Sequence, residues 1–417
     1  MTHTTPEEGN SIDWWPTLMD QAFLKKPYPT LKRMQQQGLL HHDPDSNIFF
    51  VLGYAAFSRI LKAPEMGRDT RDWQGGWHTR EYKKKDPVGY ALFSGTQHQM
   101  INCDGDDHTR LRGVYTAAFR AQMMHDLAPM IEAETSQLLD RLPTGETVNF
   151  IKAFAGPLPL RVLCNLFDIP SSMDADISRW SAALIRMSDI MMTPEQKQEA
   201  LDALIEFKAY LREQISARRD NPGNNLMDVA IQALNDGILN EEETLTDLLS
   251  MLIAGHETTV TLIGNGLYLL LENPDQMAAL RQDRALMRTA IEEFLRVEPG
   301  GNMILRVAKT DYQIEGQTIP AGSLVLGLVG GVNRDPARFE NPDQFDVSRT
   351  PNPHLTFGGG AHICIGAPLA RLEAHISFSA LLDNFSTIEL VGKPEWRLDR
   401  LNARGLGNLP IRLERAC

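Results

Sequence analysis

The longest apolar stretch of the chain, LLSMLIAGHETTVTLIGNGLYLLL at 248–271, carries His256, Glu257, Thr258 and Thr259 at its centre. A helix that faces lipid rarely holds such groups at its middle. The segment is therefore expected to be a long helix buried in protein, and the rest of the chain must fold around it. Acidic and hydroxyl groups inside a buried helix are costly unless satisfied, so these residues are candidates for chemistry. A structural alternative is a Thr hydroxyl bonded back to the carbonyl four residues earlier, which bends a helix. Gly255 beside Glu257-Thr258 predicts a local bulge, a feature often found at functional sites.

The remaining sequence is that of a globular chain. It has 417 residues, 42% hydrophobic and 23% charged, enough for a large core and for two or three domains as a length prior. A formal net charge of −13 argues against nucleic acid or an anionic membrane as the main partner. The cysteines, Cys103, Cys164, Cys364 and Cys417, are far apart with no CxxC pair. Neither a zinc site nor a disulfide framework is suggested, which fits a reducing cytoplasm. The N-terminus, MTHTTPEEGNSIDWWP, has no basic segment followed by an apolar one and is not expected to be a signal peptide.

No internal repeat and no Gly/Ser-rich linker divides the chain. NIFFVLGY (47–54) reads as a β run, and helical periodicity dominates from about 107 to 295. The stretch 311–330 alternates and carries turn residues at Glu315-Gly316 and Pro320-Ala321-Gly322, which predicts strands. The run 333–354 is polar, Pro-rich and irregular, as functional or carefully docked loops are. A helix is predicted after it, with Ile365, Leu369, Leu372 and Ile376 on one face and Pro368 in an early turn, where it is tolerated.

Between that loop and that helix lies FGGGAHICIG, 357–366. Glycines at 358, 359, 360 and 366 strip Cβ atoms from the backbone around Cys364, so a large flat partner can approach. The helix that begins just after the cysteine points its N-terminal dipole at the sulfur, which favours thiolate. A thiolate with no second Cys or His at ligand spacing suits a metal whose other ligands are not protein, and heme iron meets that description. The alternative is a buried structural cysteine in a Gly-rich turn.

Phe357, Gly358, Gly360, His362, Cys364 and Gly366 together spell F-G-x-G-x-H-x-C-x-G, and this resembles the heme-binding loop of the cytochrome P-450 family. Ala370-Arg371 and Glu373 look like the family's next helix. The resemblance runs from about 25 to 410, with motifs in the family's order. It implies a mostly α fold with a smaller β-rich lobe, and one heme domain over 1–417 with no fused reductase. Cys364 would be the axial ligand of heme b (iron protoporphyrin IX). Glu293-Phe294-Leu295-Arg296 supplies the family's E-x-x-R, with Arg349 as a third member of a structural network. His108, Arg112, Arg306 and His354 would meet the two propionates, since carboxylates want Arg forks and His donors. Ala254-Gly255-His256-Glu257-Thr258 matches the segment that crosses the oxygen side of the heme. Glu257 and Thr258 would be the acid–alcohol pair of proton delivery. His256 stands at a variable position and is given no role.

The implied activity is that of a bacterial-type heme-thiolate monooxygenase. It would take O2 as co-substrate and electrons from NAD(P)H through a ferredoxin-type donor and its reductase. It would oxidise a small, largely apolar organic substrate contacted by Tyr90, Leu92, Phe93, Ile253, Ala254, Asn302 and Ile304. Gly300-Gly301-Asn302 departs from the bulkier residues that family members more often carry. The chain is expected to be a cytoplasmic monomer that needs neither membrane nor nucleic acid, with Arg110 and Arg371 on the face that meets the electron donor. Two alternatives are a heme-thiolate peroxygenase or rearranging enzyme, which Glu257-Thr258 argues against, and a non-enzymatic heme sensor or carrier.

Overall fold

A computed structural model describes residues 12–119, 121–189 and 191–416. Cys417 and most of the N-terminal segment read above lie outside the described residues. The apolar stretch forms a 32-residue helix, Glu241–Glu272. Asn240 starts it with a capping box: its side chain accepts the Glu243 N–H while the Glu243 carboxylate accepts the Asn240 N–H. Three glutamates in the first turn face the positive end of the helix dipole. Leu248, Leu249, Ile263 and Leu270 on this helix have no accessible surface. Among the described residues no helix is long and apolar enough to cross a membrane.

Small residues let the neighbours close on the central helix. A Cβ on Gly255 would stand 2.9 Å from Leu163, and one on Gly266 would stand 2.7 and 2.8 Å from Phe378 and Phe294. Gly255 is thus a packing residue against the helix Pro157–Leu166. The expected bulge is not there: the helix runs unbroken through 254–259. The nearest π-type turn is instead at Ile151–Ala155, where the Gly156 N–H bonds to Ile151 O.

The β-rich lobe is a five-stranded sheet in the order Leu40–Asp43, Ile48–Val51, Leu324–Leu328, Met303–Ala308, Met66–Gly67. Ile48–Val51 pairs parallel to Leu324–Leu328, and the other pairs are antiparallel. The turn read at Glu315-Gly316 closes a hairpin between Tyr312–Ile314 and Gln317–Ile319, with both turn residues at positive φ, 50° and 75°. A second sheet, Thr147–Asn149, Pro410–Arg415 and Phe385–Leu390, was not legible, because its strands come from distant parts of the chain.

The irregular run is docked by one ion-pair network. Glu293 and Arg296, on the helix Met287–Val297, are fully buried and joined by two hydrogen bonds of 2.8 Å. Arg296 also donates to the carbonyls of Asn333, Pro342 and Gln344. Glu293 accepts from Arg349 Nε at 3.1 Å, from the Asp346 N–H and from Asn352. Every member therefore has partners, as a buried pair requires. Glu293→Ala strands Arg296 in the core without its carboxylate, and it is expected to cost about 3–5 kcal/mol. Heme content after expression and the melting temperature check this: both should fall sharply, and normal values would show that the carbonyls alone hold the guanidinium.

Candidate heme site

The cysteine loop is built by turns. The Cys364 N–H bonds to Phe357 O at 2.9 Å, a 3-10 turn spans Gly360–His362, and the helix Ala367–Asn384 follows. Gly358 and Gly360 have φ of 71° and 69°, values that favour glycine. Their surroundings differ. A Cβ on Gly360 would meet Leu61 O at 2.2 Å, so this glycine is required by protein packing. A Cβ on Gly358 would meet nothing closer than 3.8 Å, and one on Gly366 only the Cys364 sulfur at 4.0 Å. The room for a flat group is therefore at Gly358 and Gly366.

Cys364 is accessible to solvent, whereas Cys103 and Cys164 are buried. Enough protein surrounds it that burial raises its thiol pKa, outweighing the N–H groups of Gly366 and Ala367 and the charge of Arg112. The two facts describe a sulfur in the wall of an internal space, and the accessible surface is what a ligand meets. The helix terminus acts in the expected direction, towards thiolate, and works against desolvation at the site.

A group of basic side chains lies beside the loop. Arg306 is buried, donates to Leu305 O and Gly359 O, and leaves its buried Nε with no partner. Burial, then Arg68, lowers its pKa to about 9. Arg68 donates to Ile101 O and Leu305 O, and burial lowers its pKa to about 10. The rings of His108 and His362 pack 4.1 Å apart. Burial, then His362 and Arg112, lowers His108 to about 4. Arg112 donates to Ile363 O at 2.6 Å. The acid in this group is Asp104, which accepts from His362 Nε2 at 3.1 Å and from the N–H groups of Arg68 and Asp69. Three guanidiniums and two imidazoles thus face one carboxylate, and an orphaned Arg306 donor lies among them. The set fits a group that brings two carboxylates. Arg68 and Asp104 carry no motif in the sequence and were not singled out from it.

His354 is placed elsewhere. Its Nε2 stands 2.9 Å from Glu292, whose carboxylate also takes a two-pronged pair from Arg371 at 2.6 and 2.8 Å. Its ring therefore serves this triad and is not among the cations. Arg110 is likewise taken up, by Glu243, Asp107 and Ile238 O, so neither Arg110 nor Arg371 presents an unneutralised charge to a docking protein.

On the central helix, Ala254 and Thr258 are accessible although Met251–Ile253, His256, Glu257 and Thr259–Leu267 are buried. Residues four apart share a face, so one face alone opens. The Thr258 hydroxyl donates to Ala254 O at 2.5 Å. Glu257 points away from it, is 5% exposed, and forms ion pairs with Arg397 and Arg400. The acid and the alcohol are therefore neighbours in sequence but not in contact. His256 Nε2 lies 3.3 Å from Gly156 O.

The residues expected to line a substrate pocket divide. Ile304 is half-buried and near Gly358, while Tyr90 is half-buried with Lys83 over its ring. Ile253 is 8% exposed. Leu92 is fully buried in the core, and Phe93 stacks on Trp77 at 4.3 Å. The Asn302 side-chain amide donates to Leu401 O, and the Asn302 backbone carbonyl accepts the Val329 N–H. Leu92, Phe93 and the Asn302 amide are thus committed to the protein itself.

The Glu292 triad has a pH signature. Burial pushes its carboxyl up, but Arg371 and His354 hold it at about 2, below its ordinary 4.5. The carboxyl titrates lower in the folded chain than in the unfolded one. Its stabilisation is thus complete above 4.5 and is lost as pH falls towards 2. After allowing for screening at the partly exposed Arg371, the contribution is of order 2 kcal/mol. Chemical denaturation of the protein and of Glu292→Gln between pH 6 and pH 3 measures it. The stability gap should be full at pH 6 and shrink steadily on acidification, and a pH-independent gap would mean that the carboxyl titrates alike in the folded and unfolded chains.

Comparison with known proteins places this geometry. The family model described as Cytochrome P450 matches residues 78–414. Cytochrome P450 107B1 of Saccharopolyspora erythraea is 42% identical over 400 residues, covering 94% of this chain and 96% of that protein. Polyketide biosynthesis cytochrome P450 PksS of Bacillus subtilis is 37% identical over 406 residues, covering 95% and 98%. Among solved structures, P450BioI in complex with hexadec-9Z-enoic acid ligated acyl carrier protein superposes with a TM-score of 0.87 at 32% identity, covering 94% of this chain and 100% of that one.

Proposed function

The chain belongs to the cytochrome P450 family of O2-dependent heme monooxygenases, and from that premise we propose that it hydroxylates a largely apolar acyl or polyketide-like substrate, with Cys364 as the heme ligand. The observation that carries this reading is the pairing of an accessible Cys364, in a loop with room at Gly358 and Gly366, with a central helix whose buried middle is exposed at Ala254 and Thr258. Heme, when bound, would supply oxygen activation at iron, strengthened by electron donation from the Cys364 thiolate. The substrate class follows the relatives' names, which speak of polyketide biosynthesis and of a C16 acyl carrier protein.

The chain's own residues bind, orient and move protons. Arg306, Arg112, Arg68, His108 and His362 would hold the propionates. Phe357, Gly358 and Gly366 would line the macrocycle, while Gly360 lets the loop close on Leu61. Glu293, Arg296 and Arg349 keep the loop's approach in place. Ile253, Ala254 and Ile304 meet the substrate. The Thr258 hydroxyl turns from Ala254 O to donate on the oxygen side, and Glu257 resupplies its proton. Electrons come from NAD(P)H through a separate ferredoxin-type donor and its reductase, to a single heme domain that acts as a cytoplasmic monomer. The peroxygenase and sensor alternatives are not favoured, because relatives with this architecture are named monooxygenases and hydroxylases.

Thr258→Ala removes the donor and leaves Cys364 and the cation group untouched. NAD(P)H consumption is expected to continue, while the product formed per NAD(P)H falls about tenfold or more and hydrogen peroxide rises. Thr258→Ser should keep most of the coupling. Unchanged coupling in Thr258→Ala, with peroxide assayed in parallel, would leave that hydroxyl only its bond to Ala254 O.

A further inference from the structure

Asp247 lies towards the N-terminus of the central helix and has no accessible surface. Its Oδ1 accepts the Met100 N–H at 2.6 Å, and its buried Oδ2 has no partner. Tyr115, on the helix Gly105–Thr116, is equally buried, and its hydroxyl has no partner either. Burial pushes that hydroxyl well above its usual range, and the charge that acts on it most is that of Asp247, ahead of Glu243. The phenol therefore stays neutral, able both to donate and to accept. Unmet polar groups in a core are costly, and a carboxyl oxygen and a phenol are complementary.

Met100 opens the 3-10 turn Met100–Asn102, which the preceding Gln99 side chain does not cap. Ile101 O in that turn accepts Arg68 Nε at 3.2 Å, and Asn102 donates to Thr96 O at 3.2 Å. Asp104, just past the turn, accepts from His362 Nε2 and from the N–H groups of Arg68 and Asp69. One bond from Asp247 thus fixes the start of the segment that places Arg68 and Asp104. The charged and titratable groups that face Asp247 are Glu243 on its own helix, Arg110 and Tyr115 on the helix Gly105–Thr116, and Cys103 at the end of the turn. Arg110 is committed to Glu243 by hydrogen bonds of 2.7 and 3.0 Å, and among the described residues no cation pairs with Asp247.

We propose that Asp247 is a positioning residue for heme retention: as a neutral acid it holds Met100 through Oδ1 and gives its Oδ2 proton to the Tyr115 hydroxyl, tying the turn, and with it Arg68 and Asp104, to the central helix. This rests on the reading of Arg68 and Asp104 as part of the propionate site. When the acid gives its proton to solvent, one O–H bond breaks and nothing is oxidised or reduced. The anion left behind has neutral donors only. A buried charge without a cation is costly, and the turn loosens to let water reach it. Burial raises the Asp247 carboxyl to about 7 from its ordinary 3.8, against the pull of the Met100 N–H and with Glu243 adding to it. The folded chain therefore keeps a proton that the unfolded chain has lost, so this residue's contribution to stability falls as pH rises from 3.8 towards 7 and is level above that.

The test follows heme loss from the loaded protein to an excess of apomyoglobin between pH 6 and pH 8.5. Asp247→Asn keeps an acceptor for Met100 and offers Tyr115 an N–H, so it copies the neutral acid at every pH. Parent and Asp247→Asn should lose heme alike at pH 6, and the parent should lose it about fivefold faster at pH 8.5. Asp247→Leu, which strands the Met100 N–H, should lose heme about tenfold faster than the parent at pH 6. Any pH dependence that comes from the rest of the heme site is common to all of these proteins and cancels in the ratios. If Asp247→Asn tracks the parent at every pH, the proton has no part in the latch and the proposal is overturned. If Asp247→Leu also matches the parent while Arg68→Ala loses heme faster, the positioning role falls and the propionate reading stands. Heme loss from Arg68→Ala at the parent rate sinks the propionate reading, and the proposed route with it. Should Asp247→Leu not load heme, the ratio of parent to Asp247→Asn decides: a merely structural acceptor gives the same ratio at pH 6 and pH 8.5, and that result contradicts the proposal.

Discussion

The buried pair of Glu293 and Arg296 sets the position of everything that follows it. Neither charge reaches solvent, so each must be met within the protein, and the partners come from the irregular run between 333 and 352. That run has almost no regular hydrogen bonding of its own. The pair converts it into a fixed approach to the cysteine loop. Asn333 carries the constraint forward: its carbonyl accepts from Arg296, its side chain accepts the Leu355 N–H and donates to Thr356, and Thr356 bonds back to Leu295 O on the same helix. Phe357 begins the loop at the next residue. Loss of one charge would release the loop as well as cost stability, because a buried ion left alone is worse than no ion.

Charge placement organises the site in the same way. Beside the loop the guanidiniums of Arg306, Arg68 and Arg112 outnumber the one carboxylate of Asp104, which orients His362 and the backbone at Arg68. A surplus of positive charge around the buried Arg306 is unfavourable for the bare chain and would be offset by two carboxylates. Across the central helix the account is balanced instead, Glu257 and Asp399 against Arg397 and Arg400. One side is built to receive a charged group, and the other is built to hold a carboxylate.

Much of this was legible in the sequence, and the limits have physical causes. The central helix announced itself through an apolar run too polar at its middle for lipid, and the cysteine loop through glycines that only a demanding backbone needs. Both signals are local. Gly255 misled because a glycine in a helix serves either a bulge or a close neighbour, and the neighbour, Leu163, is 92 residues away. His354 misled because it lies three residues from the loop but turns towards Glu292, 62 residues earlier. Arg397, 140 residues from Glu257, and Arg68 and Asp104, which meet the site from another direction, carry no periodicity and no motif. Their roles arise only when the chain is folded. Leu92 and Phe93 lie in a segment expected to face substrate, yet alternate sides of one short helix point into two different cores.

The account stands on thiolate ligation by Cys364, and the Soret band of the reduced, CO-bound protein measures that directly. The parent protein should give the red-shifted band of a heme-thiolate. Cys364→His should lose it while Cys103→Ser and Cys164→Ser keep it. Survival of the band in Cys364→His, or its loss in either of the other two with heme still bound, would contradict the assignment.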